Sequence, residues 1–137
     1  MNILMISDVY FPRINGVSTS IQTFMSEFVQ LGHKVSLIAP AYNGEKEETD
    51  IYRIPSRAIP YDPEDRMMSF KAVARLSATL EKQDFDLIHI HTPFIAHYAG
   101  VKLGKLLGIP CIATYHTLFE EYLYHYIPFV PKQIMRF

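Results

Sequence analysis

The chain has 137 residues, of which 49% are hydrophobic and 20% are charged, so it has the size and apolar content of one folded domain. Its 13 Lys and Arg residues nearly balance 14 Asp and Glu residues, and a net charge of −1 disfavours a protein that grips nucleic acid through phosphate contacts. The single cysteine excludes an internal disulfide framework, and no apolar run approaches the roughly 18 residues that a membrane-spanning helix needs.

The first forty residues alternate between strand and helix patterns. Residues 2–7 form a short apolar run that is typical of a buried parallel strand, without the basic region of a signal peptide. A helix is predicted next, because apolar residues recur there every three or four positions. These residues are Val17, Ile21, Phe24, Phe28 and Leu31. Gly32 ends the helix and a strand follows at 35–39, which completes a βαβ unit.

The rest of the chain continues this alternation. The predicted elements are a strand at 51–54, a helix from 69 to 80, a strand at 87–91, a helix at 95–107 and a strand at 110–115. The segment 55–63 contains three prolines, which exclude a regular helix, and Gly108 ends the last helix. The pattern predicts an α/β fold with a doubly wound parallel sheet in the strand order 3-2-1-4-5.

Ligands of such sheets bind beyond the carboxyl ends of the strands, near the switch point between the first and fourth strands. Three loops are expected at that edge: 8–17, 91–94 and 116–126. The first contains Gly16 at the start of a helix, where a glycine permits close backbone approach and free N–H groups attract anions. Gly16 is therefore suited to seat a phosphate, although a lone glycine before a helix is more typical of a simple turn and the G-x-G-x-x-G fingerprint is absent.

Three histidines lie in or just beyond the fourth and fifth strands. His89 and His91 alternate along one strand, so their side chains share a face, and His116 follows the neighbouring strand. We expect His89 to be buried and hydrogen-bonded, and His91 and His116 to lie within reach of a ligand at the strand ends. A neutral imidazole there can donate a hydrogen bond to a substrate hydroxyl or transfer a proton. Three histidines also invite a zinc site, but no carboxylate joins them at ligand spacing, and we expect no metal.

Further polar side chains fall at the same edge. Asp8 closes the first strand and fits either a loop cap or a substrate ligand. Glu120 begins a carboxylate pair in an aromatic-rich tail that includes Tyr115 and Tyr122, and such a pair is more typical of a solvated helix start than of a catalytic pair. Cys111 lies inside an apolar strand and is predicted to be an inert core thiol.

Four segments together resemble the opening of the group 1 retaining glycosyltransferases (family 4, GT-B fold). They are NILMISDVYFPRINGV at 2–17, LGHKVSLIAP at 31–40, DLIHIHTPF at 86–94 and GIPCIATYHT at 108–117. The segments match in order and spacing over nearly the whole chain. The tail YHTLFEEYLYHYIP at 115–128 resembles the branch that glucosylates diacylglycerol.

The resemblance implies two Rossmann-like domains that face a cleft, of which the N-terminal one binds the acceptor and the C-terminal one binds most of a nucleotide-sugar donor. It implies transfer of a sugar with retention, from a nucleotide-diphosphate sugar, with UDP-glucose favoured, to a lipid such as diacylglycerol, without cofactor or metal. Residues 1–137 are then the acceptor-side domain of a longer protein, inactive without its C-terminal donor-binding domain.

Roles for individual residues follow from the same resemblance. Gly16 and Val17 are expected to approach the donor diphosphate, and His116 is expected to contact the donor sugar as the catalytic residue. Asn15, also a donor-binding candidate, stands where the family often has glycine, so the loop is expected to be less free. The acceptor-side candidates are Asp8, His91, Tyr115, Glu120 and Tyr122.

The expected partners are a nucleotide-sugar donor, a lipid or sugar acceptor and the C-terminal domain of the same protein, with no nucleic acid. The expected location is the cytoplasm, with peripheral contact at the inner face of the membrane if the acceptor is a lipid. Two other classes of function also fit these residues. One is a Rossmann-type module that binds a nucleotide or phospho-ligand without catalysis, and the other is a metal-dependent hydrolase built on the histidines.

Overall fold

The computed structural model describes residues 1–43, 45, 48–59, 62–114 and 116, with the backbone alone at 59 and 62–65. The elements in chain order are β1 (Asn2–Ile6), α1 (Gly16–Gln30), β2 (Lys34–Pro40), β3 (Ile51–Ile54), β4 (Ser56–Ile59), β5 (Asp62–Met68), α2 (Phe70–Arg75), α3 (Ser77–Glu81), β6 (Leu87–Ile90), α4 (Ile95–Leu107) and β7 (Cys111–Ala113).

Within the described residues, five parallel strands form the main sheet in the order β3-β2-β1-β6-β7. This order confirms the predicted 3-2-1-4-5 arrangement and the α/β, Rossmann-like fold class. The central strand is β1, whose Met5 lies opposite Leu37 of β2 on one side and opposite His89 of β6 on the other. The strand order reverses between β1 and β6, so the switch point lies where these two strands end.

Helices cover both faces of the sheet, and successive side chains of β1 alternate between the two apolar layers. Leu4 packs with Ile88 in the layer under α2, α3 and α4. Met5 packs with Leu37 in the layer under α1. α4 packs closely on the sheet at Gly100, which has no side chain. A Cβ atom at this position would lie only 2.8 Å from Cγ1 of Ile90.

Local capping sets one end each of α1, α2 and α4. The side chain of Asn15 accepts a hydrogen bond from the Ser18 N–H (2.8 Å) and so caps the start of α1. Ser69 caps α2 in the same way through the Ala72 N–H, at 3.2 Å. Gly108 ends α4 in the left-handed conformation, with φ of 67°, as its position in the sequence predicted.

Three local features differ from the sequence prediction. The proline-rich segment, predicted only to exclude a regular helix, holds β4 and the start of β5, because a two-stranded ribbon leaves outer N–H positions where proline does no harm. The helix predicted from 69 to 80 divides at Leu76, whose N–H donates to the Val73 carbonyl three residues back (3.1 Å). Cys111 is exposed rather than part of the core, and its Sγ donates to the Gly100 carbonyl (3.5 Å).

A buried carboxylate joins the loop after β1 to the start of α4. Asp8 accepts hydrogen bonds from the Thr92 hydroxyl (2.6 Å), the Phe94 N–H (3.3 Å) and the Ala96 N–H (3.0 Å). The Asp8 N–H donates in return to the Thr92 Oγ1 at 2.8 Å. Ala96 lies in the first turn of α4, so Asp8 caps this helix where its dipole favours negative charge. Burial raises the pKa of Asp8, and the bonds from Thr92, Ala96 and Phe94 oppose that rise.

Asp8→Asn should lower the free energy of unfolding by about 1–3 kcal/mol, because the amide has one acceptor oxygen and turns an NH₂ group toward donors. Urea denaturation measures this change. The matched control is Asp86→Asn, since Asp86 accepts one bond, from the Asn2 N–H at 2.7 Å, at an exposed position. The control should lose less than about 1 kcal/mol. An equal loss in both variants would show that the hydrogen bonds of Asp8 stabilise the fold no more than the single bond of Asp86.

Candidate functional site

The ends of β1, β6 and β7 lie at one edge of the sheet, where the sequence predicts the ligand site. Asp8 follows β1, His91 follows β6, and His116 lies beyond β7. The structure therefore brings these three candidates to the side of the sheet where the strand order reverses. Of the two readings for Asp8, the structure supports the loop cap, because its carboxylate is buried and engaged with the α4 terminus.

His89, His91 and His116 form one group, the histidine cluster, on the face of the sheet that α1 covers. The ring centroids of His89 and His91 are 4.0 Å apart, and those of His91 and His116 are 5.3 Å apart. Phe24 of α1 contacts the whole cluster, with centroid distances of 5.5 Å to His89, 5.5 Å to His91 and 6.5 Å to His116. One aromatic ring from α1 therefore shields the three imidazoles on one side.

Two hydrogen bonds connect β6 to the residues that follow β7. His89 Nε2 bonds with the Thr114 hydroxyl at 2.7 Å, and His91 Nδ1 bonds with His116 Nε2 at 3.0 Å. The Thr114 N–H also donates to the Ile90 carbonyl, at 2.9 Å. His89 of β6 and His91, which follows it, thus have separate partners. The second nitrogen of His91, Nε2, is buried and has no hydrogen-bond partner among the described residues.

The histidine cluster is neutral at physiological pH. Burial, together with the neighbouring His89 and His116, lowers the pKa of His91 to about 3. Burial, followed by the effect of His116, lowers the pKa of His89, and burial lowers that of His116. Each imidazole therefore has one N–H donor and one acceptor nitrogen.

The three histidines meet the sequence expectations to different degrees. His89 is buried and hydrogen-bonded, as predicted. The expectation that a ligand reaches His91 directly is wrong, because its side chain is fully buried, packs against Phe24 and bonds with His116. His116 is half-buried and remains the histidine that lies nearest to solvent.

The start of α1 gives different environments to its three donor-binding candidates. The Asn15 side chain is engaged in capping, and Val17 packs against the apolar layer under α1. Gly16 is the first residue of the helix, and a Cβ atom there would meet no described atom within 4 Å. The backbone at Gly16 is thus open to an approaching group, in the place where helix N–H groups favour an anion.

Arg53 stabilises the loop that leads to Gly16, a role that sequence reasoning missed. Its guanidinium donates to the Phe11 carbonyl (2.8 Å) and the Pro40 carbonyl (3.1 Å), and its Nε lies 3.6 Å from the Glu45 carboxylate. It also lies over the Tyr10 ring, 5.6 Å from the centroid. A lone arginine in a short strand carries no sequence signal for this role, because all of these contacts come from distant segments.

Some predicted site residues cannot be placed. Tyr115, Glu120 and Tyr122 lie outside the described residues, so their roles stay predictions. In the part of the chain that the structure describes, no group of three or more His, Cys, Asp and Glu side chains is arranged to hold a metal ion. No helix within those same residues has the length and apolar character to cross a membrane.

The burial of His91 predicts a pH dependence of stability. The folded-state pKa of His91 is lowered to about 3, whereas its pKa in the unfolded chain is near 6.5. Its contribution to the free energy of unfolding is therefore full above pH 6.5 and is lost as the pH falls below that value. Asp8, whose pKa is raised, changes the free energy of unfolding with pH in the opposite direction, but it is present in both the wild type and the His91→Asn variant. Between about pH 6.5 and 5, the free energy of unfolding should fall more steeply in the wild type than in His91→Asn, by up to about 1.4 kcal/mol per pH unit. Urea denaturation at several pH values measures the slopes, and equal slopes would contradict a neutral, buried His91.

The sequence pattern that defines Glycosyltransferase Family 4 matches residues 14–136. The alpha-monoglucosyldiacylglycerol synthase of Streptococcus pneumoniae is 34% identical over 130 residues, which are 93% of this chain and 29% of that protein. The synthase of the same name from Acholeplasma laidlawii is 34% identical over 139 residues, 100% of this chain and 34% of that protein. A GDP-mannose-dependent alpha-mannosyltransferase of Mycobacterium tuberculosis is 24% identical over 124 residues, which are 85% of this chain and 32% of that protein.

The chain thus spans about a third of the length of these curated relatives. A solved glycosyltransferase structure from Rickettsia africae superposes with a TM-score of 0.57 at 19% identity, over 88% of this chain and 32% of that one, which shows a shared fold. The family match includes the start of α1 and all three members of the histidine cluster. On this match, which extends over most of its length, the chain belongs to Glycosyltransferase Family 4.

Proposed function

We propose that the protein containing this domain transfers a sugar, with retention, from a nucleotide-sugar donor to a lipid acceptor of the diacylglycerol class. Family membership supports the transfer, and two relatives that share 34% identity carry the name alpha-monoglucosyldiacylglycerol synthase, which supports diacylglycerol as the acceptor and glucose as the sugar. We propose UDP-glucose as the donor. The observation that carries the proposal is the position of a neutral, half-buried His116 beyond β7, at the edge to which the ends of β1 and β6 also point.

We assign residues 1–137 to the acceptor side and place the main donor-binding domain outside this chain, since the relatives are about three times as long. The start of α1 then approaches the donor from across the cleft. The open backbone at Gly16 suits contact with a diphosphate, because the first N–H groups of a helix stabilise negative charge. This charge grows as the bond between the anomeric carbon and the diphosphate breaks.

The neutrality of the histidine cluster suits this chemistry. Glycosyl transfer passes through a transition state in which the sugar ring carries positive charge, as in an oxocarbenium ion. A protonated imidazole beside that ring would repel it, whereas a neutral His116 can donate a hydrogen bond to a sugar oxygen without adding charge. The burial that lowers the pKa of His116 keeps the imidazole in the neutral form.

A lipid acceptor requires contact with a membrane surface, at its inner face if the protein is cytoplasmic. Along α4 and the residue before it, two aromatic side chains, Phe94 and Tyr98, are 41% and 51% exposed, and Lys102 and Lys105 are exposed on the same helix. Aromatic rings suit the level of lipid headgroups, and lysines attract anionic lipid. This surface supports peripheral contact of the domain with a membrane.

The full-length protein should transfer glucose from UDP-glucose to diacylglycerol in anionic vesicles, with isolated glucosyl lipid as the readout. His116→Ala should lower kcat by roughly a hundredfold or more, because a positioned hydrogen-bonding group is lost. Its melting temperature should fall less than that of the control, because His116 is only half-buried. The matched control is His89→Ala, which should mainly lower the melting temperature, since His89 is buried and bonds with Thr114.

Two outcomes would contradict the proposal in different ways. Better glycosylation of soluble sugars than of diacylglycerol would replace the lipid acceptor with a soluble one. Saturable binding of UDP-glucose without transfer to either acceptor would favour a binding module without catalysis.

A further inference from the structure

We propose that His91 is a positioning residue whose Nδ1–H donates to His116 Nε2 and thereby holds His116 in the tautomer that carries its proton on Nδ1. The tautomer assignment rests on the hydrogen bond between the two rings and on the burial of His91. Its consequence for sugar transfer rests on the function proposed above for His116. Direct contact with a ligand does not fit His91, since its ring is fully buried and does not reach solvent.

The geometry of the pair is that of a hydrogen bond between two rings that meet edge to edge. Nδ1 of His91 and Nε2 of His116 are 3.0 Å apart, the ring planes differ by 17°, and the centroids are 5.3 Å apart. Nearly coplanar rings at this separation direct the N–H of one imidazole at the in-plane lone pair of the other. Phe24 contacts both rings and limits their rotation.

The position of the proton follows from the surroundings of His91. Burial keeps this imidazole neutral, so it has one N–H group, on either Nδ1 or Nε2. If His116 were the donor, His91 would carry its proton on Nε2, which is buried without a partner among the described residues. If His91 is the donor, only a lone pair on Nε2 is left without a partner. Buried N–H groups without an acceptor are rarer than under-satisfied acceptors, which favours His91 as the donor.

This arrangement decides what His116 can do. Its Nε2 lone pair is occupied by His91, and its Nδ1 carries the proton. Neutral His116 then has an N–H to donate to a sugar oxygen but no free lone pair with which to accept a proton. His116 therefore acts as a hydrogen-bond donor to the sugar and not as a general base. A neutral imidazole at this edge could donate a hydrogen bond or transfer a proton, and the geometry favours hydrogen-bond donation.

Two substitutions at His91 separate the hydrogen bond from the filling of space. His91→Asn places an amide close to the position of Nδ1 and can still donate to His116. His91→Leu fills a similar volume in the apolar layer but has no donor. The matched control is His89→Leu, because His89 lies on the same strand and face and contacts Phe24, yet bonds with Thr114 and not with His116.

Two-bond ¹H–¹⁵N correlation spectra of the full-length protein, labelled with ¹⁵N-histidine, report the tautomer directly. We expect His116 to carry its proton on Nδ1 in the wild type, in His91→Asn and in His89→Leu, and to lose this preference in His91→Leu. A His116 proton on Nε2 in the wild type would overturn the proposal without any variant, so the test stands even if a variant fails to fold.

Steady-state kinetics test the consequence for transfer. His91→Leu should lower kcat by about tenfold or more, the usual effect of losing a group that orients a functional histidine, and His91→Asn should recover most of it. Equal loss in both variants would contradict a positioning role. An absence of sugar transfer in the wild type, with the Nδ1 tautomer observed, would instead reject the proposed function and leave the tautomer assignment intact.

Discussion

The hydrogen bonds of the Asp8 carboxylate hold the ligand edge of this sheet together. Burying a carboxylate costs several kcal/mol, and here the Thr92 hydroxyl, two backbone N–H groups and the dipole of α4 offset that cost. The result is a fixed distance between the end of the central strand and the start of α4. Because His91 directly precedes Thr92, the end of β6 and the histidine on it are fixed by the same contacts.

The histidine cluster lies beside this fixed edge, near the ends of β6 and β7. From β6, two imidazoles bond to the residues beyond β7, and Phe24 closes the cluster from α1. An apolar cover keeps the imidazoles neutral and allows a single hydrogen bond to define the tautomer of His116. In the function proposed above, His116 is then a hydrogen-bond donor of defined position beside a sugar that becomes cationic during transfer.

Much of the fold was predictable because it depends on local patterns. The apolar spacing along α1, the glycine that ends α4 and the alternation of strands and helices predict the parallel sheet and its strand order. The same rules place Asp8, Gly16 and His116 at one edge. The β4-β5 pair was not predicted, since the prolines in and around it hide the strand pattern and a two-stranded ribbon has little apolar alternation to reveal it.

The contacts within the site were not predictable from spacing, because they join distant segments. A strand end indicates that His91 is near the ligand edge, but not that Phe24, 67 positions earlier in the chain, covers it. Arg53 and Phe11 are likewise 42 residues apart. The choice between cap and ligand for Asp8 depended on whether α4 begins close enough to use its oxygens, which is a property of the packed structure.

A titration of the full-length protein with UDP-glucose, after labelling with ¹⁵N-glycine and ¹⁵N-histidine, tests whether this sheet edge belongs to a donor site. We expect the Gly16 amide and the His116 imidazole signals to shift together and to saturate at the same donor concentration. The amide of Gly100, buried between α4 and β6, should stay unchanged and serves as the internal reference. Saturable binding that leaves both Gly16 and His116 unchanged would contradict the assignment of this sheet edge as part of a donor site.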